Sequence, residues 1–184
     1  NQVYGKIFYL PLDENHPTCT DDPYATSKLI VENIIRVNSY NLGFNYCILR
    51  NFNTFGPKQS LSSMIPSLIL NSLSQKKTEI WSGSSLRDLQ YIDDLVENFI
   101  TLMNSKNDGE TINLSSGKFI KMRDLGQIIS KKIGSKLLIQ NKTKFFVRNY
   151  SSVNKLRNII KKKFKRTNFK KNLIKTILFY EKKL

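Results

Sequence analysis

Asp21-Asp22-Pro23-Tyr24-Ala25-Thr26-Ser27-Lys28-Leu29-Ile30-Val31-Glu32-Asn33-Ile34-Ile35-Arg36-Val37 is the stretch on which the reading of this chain turns. Asp21 and Asp22 supply an N-cap and charge matched to a helix dipole, and Pro23 suits a first turn. Leu29, Ile30, Ile34, Ile35 and Val37 then recur at roughly helical period, which predicts a helix over 24–41. Within it Tyr24 and Lys28 stand four residues apart and share one helix face. A free phenol titrates at about 10, and an ammonium fixed beside it favours the phenolate. Such a pair is equipped to take a proton from a hydroxyl at neutral pH. Tyr and Lys at that spacing also arise by chance in a Lys-rich chain, so the weight falls on the neighbouring segments.

Downstream, Phe44-Asn45-Tyr46-Cys47-Ile48-Leu49 is β-prone and ends in Arg50-Asn51-Phe52-Asn53-Thr54-Phe55-Gly56-Pro57. A polar strand end of this kind in an α/β sheet is where ligands bind. Leu86-Arg87-Asp88-Leu89-Gln90-Tyr91-Ile92-Asp93-Asp94-Leu95-Val96 reads as a strand turning into a helix, with Asp93 or Asp94 as the expected cap. A coarse pass predicts strands at 44–50, 79–82, 89–92, 110–114 and 136–140. Helices fall near 64–75, 93–104, 122–133, 152–161 and 168–183. Strands alternating with helices argue for a parallel sheet.

Taken with Val3-Tyr4-Gly5, these segments in this order and spacing resemble the extended short-chain dehydrogenase/reductase family, specifically its NAD-dependent sugar-nucleotide epimerases and dehydratases. Gly109-Glu110-Thr111-Ile112-Asn113-Leu114-Ser115-Ser116-Gly117 is similar to that family's next strand and turn. The resemblance covers essentially the whole chain and weakens after about residue 135. It implies an α/β fold: a partial Rossmann-like parallel sheet with a smaller α/β substrate-binding lobe. Residues 1–57 would be the back part of a dinucleotide-binding domain to which 88–115 return, and 58–184 mainly the substrate-binding lobe. The family opens with a Gly-rich strand–turn–helix that holds a pyrophosphate. The eight glycines here form no such cluster, and the family's catalytic Ser or Thr would fall just ahead of Asn1. The expectation is the back part of a longer enzyme.

The same resemblance assigns roles. Tyr24 would be the base and Lys28 its activator, with both, together with Phe52, beside the nicotinamide of NAD; NADP is also admissible. Asn53 and Arg87 would contact the phosphates of a nucleotide-sugar substrate, Trp81 its base, and Lys142 or Arg148 a second phosphate position. Read from the residues alone, Phe52 and Trp81 are equally core aromatics, Asn53 a turn cap, and Arg87 an ion-pair partner of Asp88. Dehydratases of the family usually place an acidic residue immediately before Val-Tyr-Gly. Gln2 stands there, preceded by Asn1, and neither amide transfers a proton, which favours epimerisation over elimination. Family members are often dimers through the helix carrying the Tyr and Lys, so a homodimer is expected by resemblance.

Composition bounds the rest. A chain of 184 residues with 40% hydrophobic content can bury one core. Cys19 and Cys47 are too few for a disulfide framework, so a reduced, cytoplasmic setting is the default expectation. One His and two scattered Cys give no metal-ligand cluster, and no apolar run reaches membrane-spanning length. The formal net charge is +16, unevenly spread: residues 1–115 hold 9 basic and 12 acidic side chains, residues 116–184 hold 21 and 2. A basic tail invites a nucleic-acid reading. Leu173, Ile174, Ile177, Leu178 and Tyr180 have helical spacing, however, which makes the lysines the solvated face of a packed helix. An inactive remnant that at most binds ligand, and a nucleic-acid-binding module, are the competing readings.

Overall fold

The computed structural model describes residues 2–140, 144 and 146–182. A short 3-10 turn at Gln2–Tyr4 leads through an irregular segment to helix α1 (Pro23–Leu42). Asp22 caps α1: its carboxylate accepts the Ala25 N–H at 2.9 Å, and Pro23 occupies the first turn. Gly43, at φ +71°, ends the helix by donating its N–H to Ser39 O. There follow β1 (Cys47–Asn51), β2 (Asn53–Phe55), α2 (Met64–Gln75), β3 (Lys77–Ile80), β4 (Leu86–Tyr91) and α3 (Ile92–Met103). The remainder is β5 (Glu110–Leu114), β6 (Phe119–Lys121), α4 (Met122–Ile133), β7 (Lys136–Ile139), β8 (Arg148–Asn149), α5 (Asn154–Ile160) and α6 (Phe169–Glu181).

Parallel pairing dominates, as the alternation of strands and helices predicts. β1 lies beside β5, β2 beside β4 and β3 beside β7, all parallel, with Leu49 opposite Ile112 and Thr54 opposite Gln90. At Leu86 and Arg87, β4 also takes the short β6 antiparallel on the side away from β2 and β8 parallel on the other side. Among the described residues no helix is long and apolar enough to cross a membrane.

The core has three parts. Phe55, Ile69, Ile80, Leu89, Leu125, Ile129, Leu173 and Ile177 join β2, β3 and β4 to α2, α4 and α6. Leu102, Ile112, Leu114, Leu156 and Ile160 join β5 to α3 and α5. Val3, Tyr4, Leu12 and Phe52 close the N-terminal segment over the start of β2. Helix α5 belongs by sequence to the stretch expected in the substrate lobe, yet it packs on β5 and α3. In α6, Leu173, Ile177 and Tyr180 are buried while Lys170, Lys171 and Lys175 are exposed, and Leu178 points outward.

Several local expectations are corrected. Neither Asp93 nor Asp94 caps α3: the cap position is Tyr91, without a side-chain cap bond, and both acids lie in the first turn. Strand β4 begins at Leu86, so Arg87 sits within it. β2, β6 and β8, of two or three residues each, are too short to carry a period-2 signal. Cys47 is half-buried, packed at the edge of the cluster that joins β5 to α3 and α5.

Gly5 shows why Val-Tyr-Gly ends in glycine. Its φ is +54°, and an added Cβ would lie 1.7 Å from the Cys19 carbonyl oxygen. The close approach is what lets Gly5 bridge to Cys19 and lets the Cys19 N–H reach Tyr4 O. Gly5→Ala should therefore lower stability by at least ~2 kcal/mol in urea unfolding, and an unchanged midpoint would refute this packing.

Candidate active site

Tyr24 and Lys28 emerge from the same face of α1, with the Lys28 ammonium 5.3 Å from the centre of the Tyr24 ring. Tyr24 is 59% exposed. Both line a crevice of about 450 Å³ between α1 and β1, which they share with Gln2, Val3, Glu32 and Arg50. The phenol is thus open to solvent and to any ligand entering between helix and strand.

Beneath this pair lies a buried ion pair. Glu32, one turn beyond Lys28, accepts two hydrogen bonds from Arg50 on β1, at 3.0 Å (Nε to Oε1) and 2.9 Å (Nη2 to Oε2). Arg36, a further turn on, donates to Glu32 Oε2 and to Thr111 Oγ1 on β5, each at 3.0 Å. The Arg50 guanidinium also rests 4.8 Å over the Tyr4 ring. Tyr4 in turn donates to Asn113 Oδ1 at 2.6 Å, and the Asn113 N–H donates to Glu14 at 2.7 Å. Burial works to raise the Glu32 carboxyl, but the Arg50 and Arg36 hydrogen bonds and charges outweigh it and leave Glu32 below its ordinary value. Sequence reading missed this network. Its signals were an acid spaced four and eight residues from Lys28 and Tyr24, and an arginine at the end of an apolar strand.

A second hollow, of about 380 Å³, contains Arg87 and Trp81 together with Met64, Ser67, Asn71 and Met122. Arg87 makes no ion pair with Asp88. The Asp88 carboxylate instead accepts from the N–H groups of Ser116 (3.0 Å) and Gly117 (3.1 Å) and from the Ser116 hydroxyl (2.6 Å). The Arg87 Nε is buried with no hydrogen-bond partner among the described residues, and burial pushes its guanidinium below the ordinary value. A half-buried guanidinium whose buried Nε has no partner among the described residues, beside an exposed indole, fits an anionic ligand with a flat ring.

The other sequence-chosen residues fall elsewhere. Phe52 is 2% exposed and packs with Val3, Tyr4 and Leu12, off the crevice lining, which is the core-aromatic alternative. Asn53 is half-buried on β2 and donates to the Asp88 carbonyl at 3.4 Å. Arg148 is on β8, exposed, with its guanidinium 5.2 Å from the Phe146 ring. Lys142 lies outside the described residues. Among the described residues no cluster of His, Cys, Asp and Glu is arranged to hold a metal.

The model of the NAD dependent epimerase/dehydratase family matches residues 1–115. The chain belongs to that family. Its relatives include the putative UDP-glucose 4-epimerase of Methanocaldococcus jannaschii, 33% identical over 139 residues, which is 72% of this chain and 44% of that protein. The human dTDP-D-glucose 4,6-dehydratase is 31% identical over 117 residues, 63% of this chain and 33% of that protein. The chain thus spans less than half the length of these curated relatives. Among solved structures, the UDP-N-acetylglucosamine 4-epimerase of Methanobrevibacter ruminantium, in complex with UDP-N-acetylmuramic acid, superposes with a TM-score of 0.88 at 25% identity. That superposition covers 100% of this chain and 61% of the other. RMD from Pseudomonas aeruginosa, complexed with NADPH, gives 0.89 at 24% identity, covering 100% and 64%, a likeness of fold. The α/β, Rossmann-like class read from the sequence stands.

Breaking the buried pair has a signed consequence. With the folded-state value of Glu32 below the ordinary 4.5, its contribution to stability is present above that pH and is lost as pH falls through the folded value. Glu32→Gln leaves Arg50 buried without its anion and should cost ~3–5 kcal/mol at pH 7. The penalty should shrink toward pH 3, as followed by urea unfolding across pH; a penalty independent of pH would contradict the assignment.

Proposed function

We propose that this chain carries the proton-transfer and nucleotide-binding parts of an enzyme acting on nucleotide sugars with NAD or NADP, of the epimerase type. The observation that carries the reading is the Tyr24–Lys28 pair on one face of α1 at an open crevice. A phenol and an ammonium at the crevice mouth fit the hydroxyl-rich ribose and nicotinamide end of a dinucleotide, with Lys28 holding ribose oxygens. When bound, the nicotinamide would supply a hydride acceptor that also returns the hydride. Tyr24 takes the proton of a sugar hydroxyl as phenolate and gives it back as phenol. Lys28 stabilises the negative oxygen in between.

Gln2, in the same crevice, supports epimerisation, since an amide in that position has no proton to deliver to a departing hydroxyl. Arg87, with its unpaired buried Nε, and Trp81 support a nucleoside diphosphate as the handle of the substrate: the guanidinium forks onto phosphate oxygens while the indole meets the base. On this reading residues 1–57 and 88–115 serve the cofactor, and 58–87 with most of 116–184 the substrate. Phe52 and Asn53 act through packing and strand pairing, while Arg148, exposed beside β4, stands for the second phosphate position.

A homodimer through α1 completes the proposal. Ile30, Ile34 and Val37 on α1 are 52%, 53% and 59% exposed, an apolar stripe that a second copy would cover. Ile34→Glu should shift the protein from dimer to monomer in light scattering; a monomeric parent would refute this part.

The activity itself is tested by interconversion of UDP- and dTDP-sugar epimers in the enzyme carrying this chain. Tyr24→Phe should lower kcat by ~10²–10⁴-fold, and full activity would overturn the proposal. Arg87→Lys should raise KM at least about tenfold with kcat little changed.

A further inference from the structure

A third cavity, of about 450 Å³, opens between the β2–β4–β6 sheet and the start of α6. It shares no lining residue with the Tyr24 crevice or the Arg87 hollow. Its floor is apolar and aromatic: Phe55, Leu89 and Tyr91 are 1%, 4% and 7% exposed. The Phe55 ring lies 5.6 Å from Tyr91 and 5.3 Å from Phe169, between centroids, both tilted. A void against such a floor is a place for a flat ring, which tilted aromatic walls meet edge to face.

The mouth is cationic. Lys118 and Arg166, both exposed, are the cations of its lining. Arg166 is braced there by its Nη1 donating to Ser116 O at 3.3 Å. The one carboxylate in the wall, Asp94, is engaged: its Oδ2 accepts both the N–H and the hydroxyl of Thr167, each at 3.0 Å. That contact fixes the segment that carries Arg166 and begins α6. Three cations, Lys118, Arg166 and the nearby Arg157, against two hydrogen-bonded carboxylates, Asp94 and the Asp88 that acts on Arg166, leave the opening positive, and the first turn of α6 faces it with its positive dipole end.

We propose that this cavity binds a small organic anion, a carboxylate or phosphate borne on a flat apolar ring system, as a ligand distinct from substrate and cofactor. The volume falls within the ~300–1,000 Å³ of ordinary small-molecule sites. The ring lies on Phe55 and Tyr91 while the anion is forked by Arg166 and approached by Lys118.

The test is a ¹⁵N-resolved NMR titration of the full 184-residue chain with 1-naphthyl phosphate and 1-naphthoate. Saturable shifts at the amides of Lys118, Phe119, Thr167 and Phe169, without shifts at Tyr24 or Lys28, support the site. Whichever probe binds tighter names the anion. Arg166→Ala, an exposed position, should weaken binding at least about tenfold, with Lys118→Ala as the second, weaker variant. Absence of saturation at millimolar probe overturns the proposal, as does an unchanged affinity in Arg166→Ala. Equal binding of 2-naphthalenemethanol overturns the anionic requirement, and equal binding of inorganic phosphate overturns the ring site.

Discussion

The bidentate contact between Glu32 and Arg50 is what the placement of α1 depends on. Within α1 only Ala25 and Glu32 are buried, while Ile30, Val31, Ile34 and Val37 remain about half exposed. Apolar burial therefore sets the rotation of this helix only weakly. The Glu32–Arg50 pair, both members at 6–7% exposure, fixes it instead, because two parallel hydrogen bonds tolerate little rotation. Tyr24 and Lys28 lie two turns and one turn from that fixed point. The cost of burying two charges is offset by direct pairing, by Arg36, and by the Tyr4 ring under the guanidinium. Stability is a poor reason to keep such a pair, and orientation is a good one.

Strand β4 does the equivalent for the other sites. Alternation along it sends Arg87 to the hollow with Trp81, and Leu89 and Tyr91 to the core and the third cavity. On the opposite face Asp88 gathers the Ser116 and Gly117 amides, and Gln90 donates to Asn51 on β1 and to Leu114 O on β5. One six-residue strand thus ties β1 and β5 to the sheet of β2, β4 and β6.

The sequence was most legible where local chemistry decides the structure. The Asp22 cap, Pro23 and the helical apolar period placed α1 to within one residue, and with it the Tyr24–Lys28 face. It was least legible where long-range partners decide. Asp94 looks like a cap in sequence, but it is drawn to Thr167, seventy-three positions away. Phe52 reads equally as a core aromatic or a cofactor neighbour, and only the fold sets it beside Tyr4, 6.5 Å between ring centroids. Glu32 and Arg50 read singly as surface charges. Only the fold brings them together.

A double-mutant cycle on Glu32 and Arg50, using Glu32→Gln and Arg50→Met with urea unfolding of all four proteins, tests the central claim most directly. The account expects a coupling energy of at least ~1.5 kcal/mol, the double variant being less destabilised than the sum of the singles. Additivity within ~0.5 kcal/mol would mean that α1 is held in place by something else.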